Sequence, residues 1–171
     1  MAEEQPGKDG FRISTEKNVI LSIRGIQALE EQEEETIELV TEGRLLTDGD
    51  GSYTLSYQES EVTGLEGTLT TFQIEEGRVI LLRMGAFNSQ MVFEQGRQHL
   101  SVYNTPYGAL SVGVLTKRLD CTIGPAGGNI EIDYTIEMNH TMTGRNLFQI
   151  HVRENQRATD TGDSRTEEKV I

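Results

Sequence analysis

The stretch IEIDYTIEM, residues 130–138, decides the fold class. Its apolar side chains fall at every second position, with polar side chains between them. A period of two places successive side chains on opposite faces of an extended strand. One face can then meet a core while the other meets water. The stretch therefore predicts a strand of an antiparallel sheet with one buried face.

The same alternation extends outward along most of the chain, and we find no convincing amphipathic helix. It predicts further strands over residues 18–28, 36–47, 51–59, 67–76, 78–84, 90–95, 99–105, 108–117 and 147–153. The acidic run over residues 30–35 has no apolar face, so it predicts a solvated turn and the entrance to a strand. We expect about ten strands in all.

Turn residues separate these strands at short intervals. Asp48-Gly49-Asp50-Gly51, Glu76-Gly77 and Gln95-Gly96 are typical of hairpins, and longer turns are predicted over 63–67 and 124–128. Tight turns between successive strands predict an up-and-down meander. A sheet of about ten strands tends to close or curl rather than leave long edges exposed. We predict an all-β fold, a single antiparallel up-and-down β-barrel of eight to ten strands, with a sandwich as the alternative.

The length of 171 residues fits one domain. Polar, non-alternating sequence at both ends predicts a flexible N-terminal segment over 1–16 and a disordered polar tail over 155–171. The barrel domain is then predicted to span residues 17–154.

Composition excludes several classes of function. Fifteen Lys and Arg against 28 Asp and Glu give a formal net charge of −13. This acidity argues against nucleic acid and against an anionic membrane surface as partners. There is no apolar run near the ~20 residues of a membrane helix, and the start, MAEEQPGKDG, is too polar for a secretory signal. One cysteine, Cys121, gives no internal disulfide framework or cysteine zinc site. We expect a cytoplasmic protein.

Metal and catalytic motifs are not apparent. Residues 48–59 place oxygen ligands where a calcium loop needs them, but Tyr53 stands where that loop needs glycine. The three histidines are far apart, and His151 shares a predicted outer face with Gln149 and Arg153. We find no nucleophile motif or phosphate-binding loop. We therefore predict no metal, no cofactor and no catalytic residues.

Two charged residues share a strand face with apolar ones. Glu59 continues the face of Tyr57, and Arg83 continues the face of Leu81. If both point inward, each charge needs a partner, because an unpaired buried charge is very unfavourable. One hypothesis is a Glu59–Arg83 pair inside the barrel that binds a polar ligand. The alternative is that both side chains lie at strand ends and reach water.

The string Tyr103-Asn104-Thr105-Pro106-Tyr107-Gly108 is the most distinctive local sequence. Pro106 cannot donate a ladder hydrogen bond and marks the end of a strand. The two tyrosines either brace a hairpin or form the rim of a barrel mouth, where a ring with a polar tip suits a wet boundary.

Together with other short motifs, this string resembles a known family. The motifs occur in order as Ser56-Tyr57-Gln58-Glu59, Gly67-Thr68, Thr70-Thr71, Arg83-Met84-Gly85, Met91-Val92-Phe93, Tyr103 to Gly108, Thr116 and Ile130 to Tyr134. Over residues 17–154 the chain resembles the YwiB-like family of uncharacterised bacterial proteins. The resemblance implies a calycin-like β-barrel of lipocalin-type architecture in a bacterial cytoplasmic protein. It carries over no activity and no catalytic residues.

Three functions remain open. The first is non-catalytic binding of a small molecule in or at the mouth of the barrel. The second is a filled barrel that acts as a protein-interaction or structural module, as a monomer or homodimer. The third, ranked last, is an enzyme that uses barrel-mouth residues. The candidate ligand-binding residues are Tyr57, Glu59, Arg83, Phe93, Tyr103, Tyr107 and Thr116.

Overall fold

Ten antiparallel strands make up the regular structure of the computed structural model. The model describes residues 14–29 and 31–156, and for residues 103–105 it describes the backbone alone. The strands are β1 (Thr15–Leu29), β2 (Glu35–Thr47), β3 (Tyr53–Gln58), β4 (Thr68–Glu75), β5 (Arg78–Gly85), β6 (Ser89–Phe93), β7 (Gln98–Thr105), β8 (Gly108–Cys121), β9 (Gly127–Met138) and β10 (Thr141–Glu154). One turn of 3-10 helix spans Glu61–Thr63.

The strands form one sheet that curls into a nearly closed barrel. Its order is β6-β5-β4-β3-β2-β1-β10-β9-β8-β7, so that β1 pairs with both β2 and β10. Every neighbouring pair is antiparallel. The all-β, up-and-down prediction is therefore confirmed, and the architecture is calycin-like.

The interior is lined by the alternating side chains that the sequence predicts to face inward. Buried apolar residues come from every strand except β7, whose side chains the structure describes only in part. Fully buried members include Phe72, Phe93, Leu21, Leu45, Leu55, Ile130, Ile132 and Ile150. Burial of each such side chain stabilises the fold by roughly 1.5–3 kcal/mol. The solvated turn predicted for the acidic run is also present, since β2 begins at Glu35 after a turn.

One predicted hairpin is wrong. Gln95-Gly96 does form a tight turn, with Gly96 at φ 78°, but β6 and β7 lie at opposite ends of the sheet order. The backbone around this turn bonds to β8 instead: the Gly96 N–H donates to the Thr116 carbonyl at 2.8 Å, and the Thr116 N–H donates to the Arg97 carbonyl at 3.2 Å. The barrel therefore has a seam between β6 and β7.

Four strands extend by three residues or more beyond their predicted bounds, and one of them is β1, which begins at Thr15. β8 continues to Cys121, β9 begins at Gly127 and β10 begins at Thr141. The pairing register shifts between Thr116 and Arg118 and again between Met142 and Gly144. Such bulges interrupt the period of two. Alternation alone therefore could not show that β8 and β10 continue across them.

One end of the barrel is filled and the other is open. At the filled end, Val19, Leu45, Leu55, Ile74 and Val79 are all buried. At the open end, β2 pairs with β3 only over residues 44–47, so that residues 35–43 of β2 have no ladder with β3. The end of β3 lies at this open end, called the mouth here. Because neighbouring strands are antiparallel, the ends of β5 and β7 lie there as well.

Gly43 stands where β2 and β3 part. A Cβ atom at this position would lie 2.5 Å from the Leu21 Cδ1 atom and 2.5 Å from the Ser56 carbonyl oxygen. A backbone oxygen cannot move aside as a flexible side chain can. Glycine is therefore required here because of the close approach of a neighbouring strand.

We predict that Gly43→Ala lowers the free energy of unfolding by about 1–3 kcal/mol, because the added methyl group overpacks this contact. The matched control is Gly25→Ala on β1, where the Cβ would lie 3.8 Å from the Phe148 ring, an ordinary contact. The control should be neutral or stabilising by up to about 1 kcal/mol, because alanine fits there and has less freedom in the unfolded chain. Urea unfolding curves measure both. Equal stability of the two variants would contradict the close approach at Gly43.

Candidate binding site at the barrel mouth

A cavity of about 170 Å³ opens at the mouth, beside the segment of β2 that leaves β3. Its apolar wall comes from Ile23, Ile37, Leu39, Leu65 and Phe148. Its polar side comes from Tyr57, Glu59, Thr63 and Arg83. Ile37 is 44% exposed, so this wall is open to solvent although it continues the inner face of the barrel.

Glu59 is the most deeply buried charged residue of this site, with 1% of its side chain exposed. It follows β3 directly, and its N–H donates to the Thr68 carbonyl at 2.9 Å, which keeps the side chain on the inner face. The Thr63 hydroxyl donates to Oε1 at 2.7 Å, and the Thr70 hydroxyl donates to Oε2 at 2.5 Å. These two bonds satisfy part of the carboxylate and fix its orientation.

The 3-10 turn after Glu59 positions Thr63. The Ser60 hydroxyl accepts a hydrogen bond from the Val62 N–H at 3.3 Å and caps the turn. Gly64 then ends it in the left-handed conformation, at φ 77°. Without this single turn, the Thr63 side chain would not return to the carboxylate four residues before it.

Arg83 approaches Glu59 from β5. Its Nε lies 3.9 Å from the Glu59 Oε2 atom, which is within ion-pair range but too long for a hydrogen bond. This Nε is buried and has no hydrogen-bond partner among the described residues. The side chain as a whole is 21% exposed, so part of the guanidinium group is accessible from the mouth. The predicted interior pair is present, and its role in binding stays a prediction.

Two tyrosines lie close enough to the pair to be affected by its charges. Burial raises the pKa of Tyr57, the Glu59 carboxylate raises it further, and the Arg83 guanidinium lowers it. Burial also raises the pKa of Tyr134, which Arg83 again lowers. Both phenols therefore remain protonated at neutral pH and can donate hydrogen bonds.

The other predicted binding residues do not line this cavity. Phe93 is buried in the core, with its ring centroid 4.8 Å from that of Tyr134. Thr116 is fully buried opposite Tyr134, and its hydroxyl has no partner among the described residues. Tyr107 lies on the β7–β8 turn at the mouth end and is 98% exposed. The Tyr103 side chain lies outside the described part of the chain.

Sequence reasoning missed several residues of the site. Thr70 shares its strand face with Phe72, so alternation alone would have placed its hydroxyl inside the barrel. Tyr134, which lies near Arg83 without lining the cavity, has the same inward parity in the 130–138 stretch. The Thr63 contact depends on the path of a loop and left no pattern in the sequence.

A larger groove, about 730 Å³, lies on the outer face of β1, β2, β9 and β10. Its polar side chains are largely paired with one another: Arg24 with Glu38 at 3.3 Å, Gln149 with Glu131, and the His151 Nδ1 with the Asn129 Oδ1 at 2.9 Å. The prediction that His151 faces outward is confirmed. Because these groups already satisfy each other, we assign the candidate site to the mouth.

The described residues 14–29 and 31–156 contain no group of three or more His, Cys, Asp or Glu side chains placed to hold a metal ion. In the same ranges, no helix has the length and apolar character needed to cross a membrane. The calcium-like loop forms a turn in which the Ser52 hydroxyl lies 2.7 Å from the Asp50 Oδ1 atom, to which it donates, and 3.2 Å from the Asp48 Oδ2 atom.

Comparison with known proteins gives the family. Residues 21–150 match the model of a domain of unknown function, DUF1934, over most of the chain. The chain belongs to the DUF1934 family. No curated protein matches this DUF1934 chain in sequence.

One solved structure supports the same fold. The crystal structure of the YwiB protein from Bacillus subtilis matches this DUF1934 chain with a TM-score of 0.65 and 23% sequence identity. The match covers 80% of this chain and 92% of the YwiB chain. At this level of identity the likeness establishes the fold alone.

We predict that Thr70→Val lowers the free energy of unfolding by about 1–3 kcal/mol, because it removes a donor to a buried carboxylate while keeping the side-chain shape. Thr116→Val is the matched control, since Thr116 is equally buried but its hydroxyl has no partner among the described residues. The control should be neutral or stabilising. Thermal and urea unfolding of both variants checks this. If Thr116→Val were the more destabilised variant, the assignment of hydrogen bonds at Glu59 would be wrong.

Proposed function

We propose that this protein binds a small molecule at the mouth of its barrel and does not catalyse a reaction there. The observation that carries the proposal is the Arg83 Nε, which is buried beside the cavity without a hydrogen-bond partner among the described residues. Leaving a buried donor unsatisfied is unfavourable by about 1–3 kcal/mol. A ligand that accepts this hydrogen bond would recover part of that free energy.

The surroundings of the pair support binding rather than catalysis. A concave site with an apolar wall and a few converging polar groups is typical of small-molecule sites. The groups that converge here are the Glu59 carboxylate, the Arg83 guanidinium and the protonated Tyr57 phenol. In this proposal the Thr63 and Thr70 hydroxyls, which both donate to Glu59, orient the carboxylate toward a ligand.

A second candidate function, a protein-interaction module, is favoured by exposed apolar side chains on β7. Leu100 is 70% exposed and Val102 is 66% exposed, both on the outer face beside the seam. β6 and β7 are also the two edge strands of the sheet, and strand edges can pair with another chain. A homodimer through this edge is the form that this candidate would take.

A cytoplasmic location belongs to the same proposal. It is supported by the sequence, whose one cysteine, Cys121, forms no disulfide within the chain. Proteins that carry no disulfides are typical of reducing compartments.

Native mass spectrometry of gently purified protein tests the proposed function. We expect a mass above that of the denatured chain, because the bound molecule leaves on denaturation. Leu39→Trp should abolish the extra mass, since Leu39 lines the cavity and the larger ring would fill it.

The matched control is Val40→Trp, the next residue of β2, which points outward and is 67% exposed. It should keep the extra mass. If Val40→Trp lost the extra mass and Leu39→Trp kept it, the ligand would bind in the outer groove. That result would contradict binding at the mouth. A dimer without extra mass would favour the interaction module instead.

A further inference from the structure

The charge balance at the mouth limits what can bind there. This inference rests on the proposed function and concerns the same site. Glu59 and Arg83 already compensate each other in formal charge, with the Nε and Oε2 atoms 3.9 Å apart. A ligand that carried a negative charge would approach a carboxylate that is almost fully buried, where like charges are poorly screened. A cationic ligand would meet the same unfavourable interaction with Arg83. The site therefore favours an uncharged ligand.

The hydrogen-bonding groups of the pair define the polar part of that ligand. The Nε of Arg83 offers a donor without a partner among the described residues. The Glu59 carboxylate accepts hydrogen bonds from Thr63 and Thr70 and also interacts with the Tyr57 phenol, which leaves it at least one of about four lone-pair sites for a ligand. The donor and the acceptor are too far apart to bond directly. A group that both accepts and donates, such as a primary amide or a hydroxyl, can satisfy both at once.

The cavity defines the size and character of the rest of the ligand. An apolar protein cavity of about 150 Å³ holds a molecule of benzene. The mouth cavity is about 170 Å³, and its apolar lining includes Ile23, Leu39 and Phe148. A ring-sized apolar body therefore fits beside the polar group, and a long lipid chain does not fit in the described cavity.

We infer that the mouth binds an uncharged small molecule that carries an amide or hydroxyl group on a ring-sized apolar body, with the polar group between Arg83 and Glu59. The amide oxygen accepts from Arg83, and the amide N–H donates to Glu59. Carboxylates of the same shape bind more weakly because they cannot donate and add a negative charge.

Benzamide and benzoate are a matched pair of probes for this inference, since they differ in the polar group and its charge. We would titrate each into full-length protein with labelled Ile, Leu and Val methyl groups and follow their NMR shifts. Benzamide should shift the methyl signals of Ile23, Ile37 and Leu39. Benzoate should bind at least about tenfold more weakly, a difference of ~1.4 kcal/mol.

The variant Glu59→Gln tests the cause of this preference. It keeps the side-chain shape but leaves the Arg83 charge uncompensated, so that the preference should reverse and benzoate should bind more tightly than benzamide. The wild-type comparison stands by itself if this variant does not fold.

Each alternative outcome overturns the inference in a recognisable way. Equal or tighter binding of benzoate to the wild type contradicts the ligand class but leaves mouth binding in place. Shifts of the Val40 and Ile130 methyl signals without a shift of Ile37, which lines the mouth cavity and not the outer groove, would assign the probes to that groove and contradict the inference. If neither probe shifts the mouth methyl signals at millimolar concentration, the ligand class is wrong, and the native mass comparison of Leu39→Trp with Val40→Trp separately decides the proposed function.

Discussion

The antiparallel pairing of β1 with β10 is the contact on which the barrel depends. It runs from Val19 opposite Glu154 to Leu29 opposite Gly144 and joins two meanders, β1 to β6 and β7 to β10. Its partners lie far apart along the chain, so the loss of chain entropy on closure must be offset by burial of the inner face. Val19, Leu21 and Ile23 supply that buried face from β1.

The mouth exists because the pairing of β2 with β3 stops before β2 does. β1 holds β2 along its whole length, whereas β3 follows β2 for only four residue pairs. From Gly43 back to Glu35, β2 no longer pairs with β3. The inner face of this part of β2 therefore lacks a neighbouring strand on that side. The buried carboxylate of Glu59 lies at the edge of this opening, where two threonine hydroxyls and Arg83 stabilise it. Replacing such a group with an apolar one could be neutral for stability, so its presence favours a role in binding.

Much of the fold could be predicted from alternation, because side-chain parity is a local property of a strand. The 130–138 stretch and the inner faces of β1 and β4 are as predicted. The seam at Gln95-Gly96 was missed, since the residues of a turn do not show which strand their backbone will bond to. The bulges at Thr116 and Met142 hid parts of β8 and β10 for a similar reason: they change the period that the prediction uses.

Of the candidate site, the sequence predicted only Tyr57 and the two charged residues. Glu59 and Arg83 stood out because each shares parity with apolar neighbours, and burial then requires a partner. Phe93 and Thr116 share that inner parity as well, yet they lie in the core and do not line the described cavity. Glu59 and Arg83 differ from Phe93 and Thr116 in their depth along the barrel axis. That depth depends on the pairing register of several strands, so the alternation within one strand does not predict it.

A double-mutant cycle on Glu59→Gln and Arg83→Leu tests most directly whether these two residues act as one site. Unfolding free energies of the wild type, both single variants and the double variant give the interaction energy. We expect a coupling of about 1–3 kcal/mol, because the double variant no longer contains an unpaired charge. Additive effects, within about 0.5 kcal/mol, would show that the two charges are independent and would contradict a shared site at the mouth.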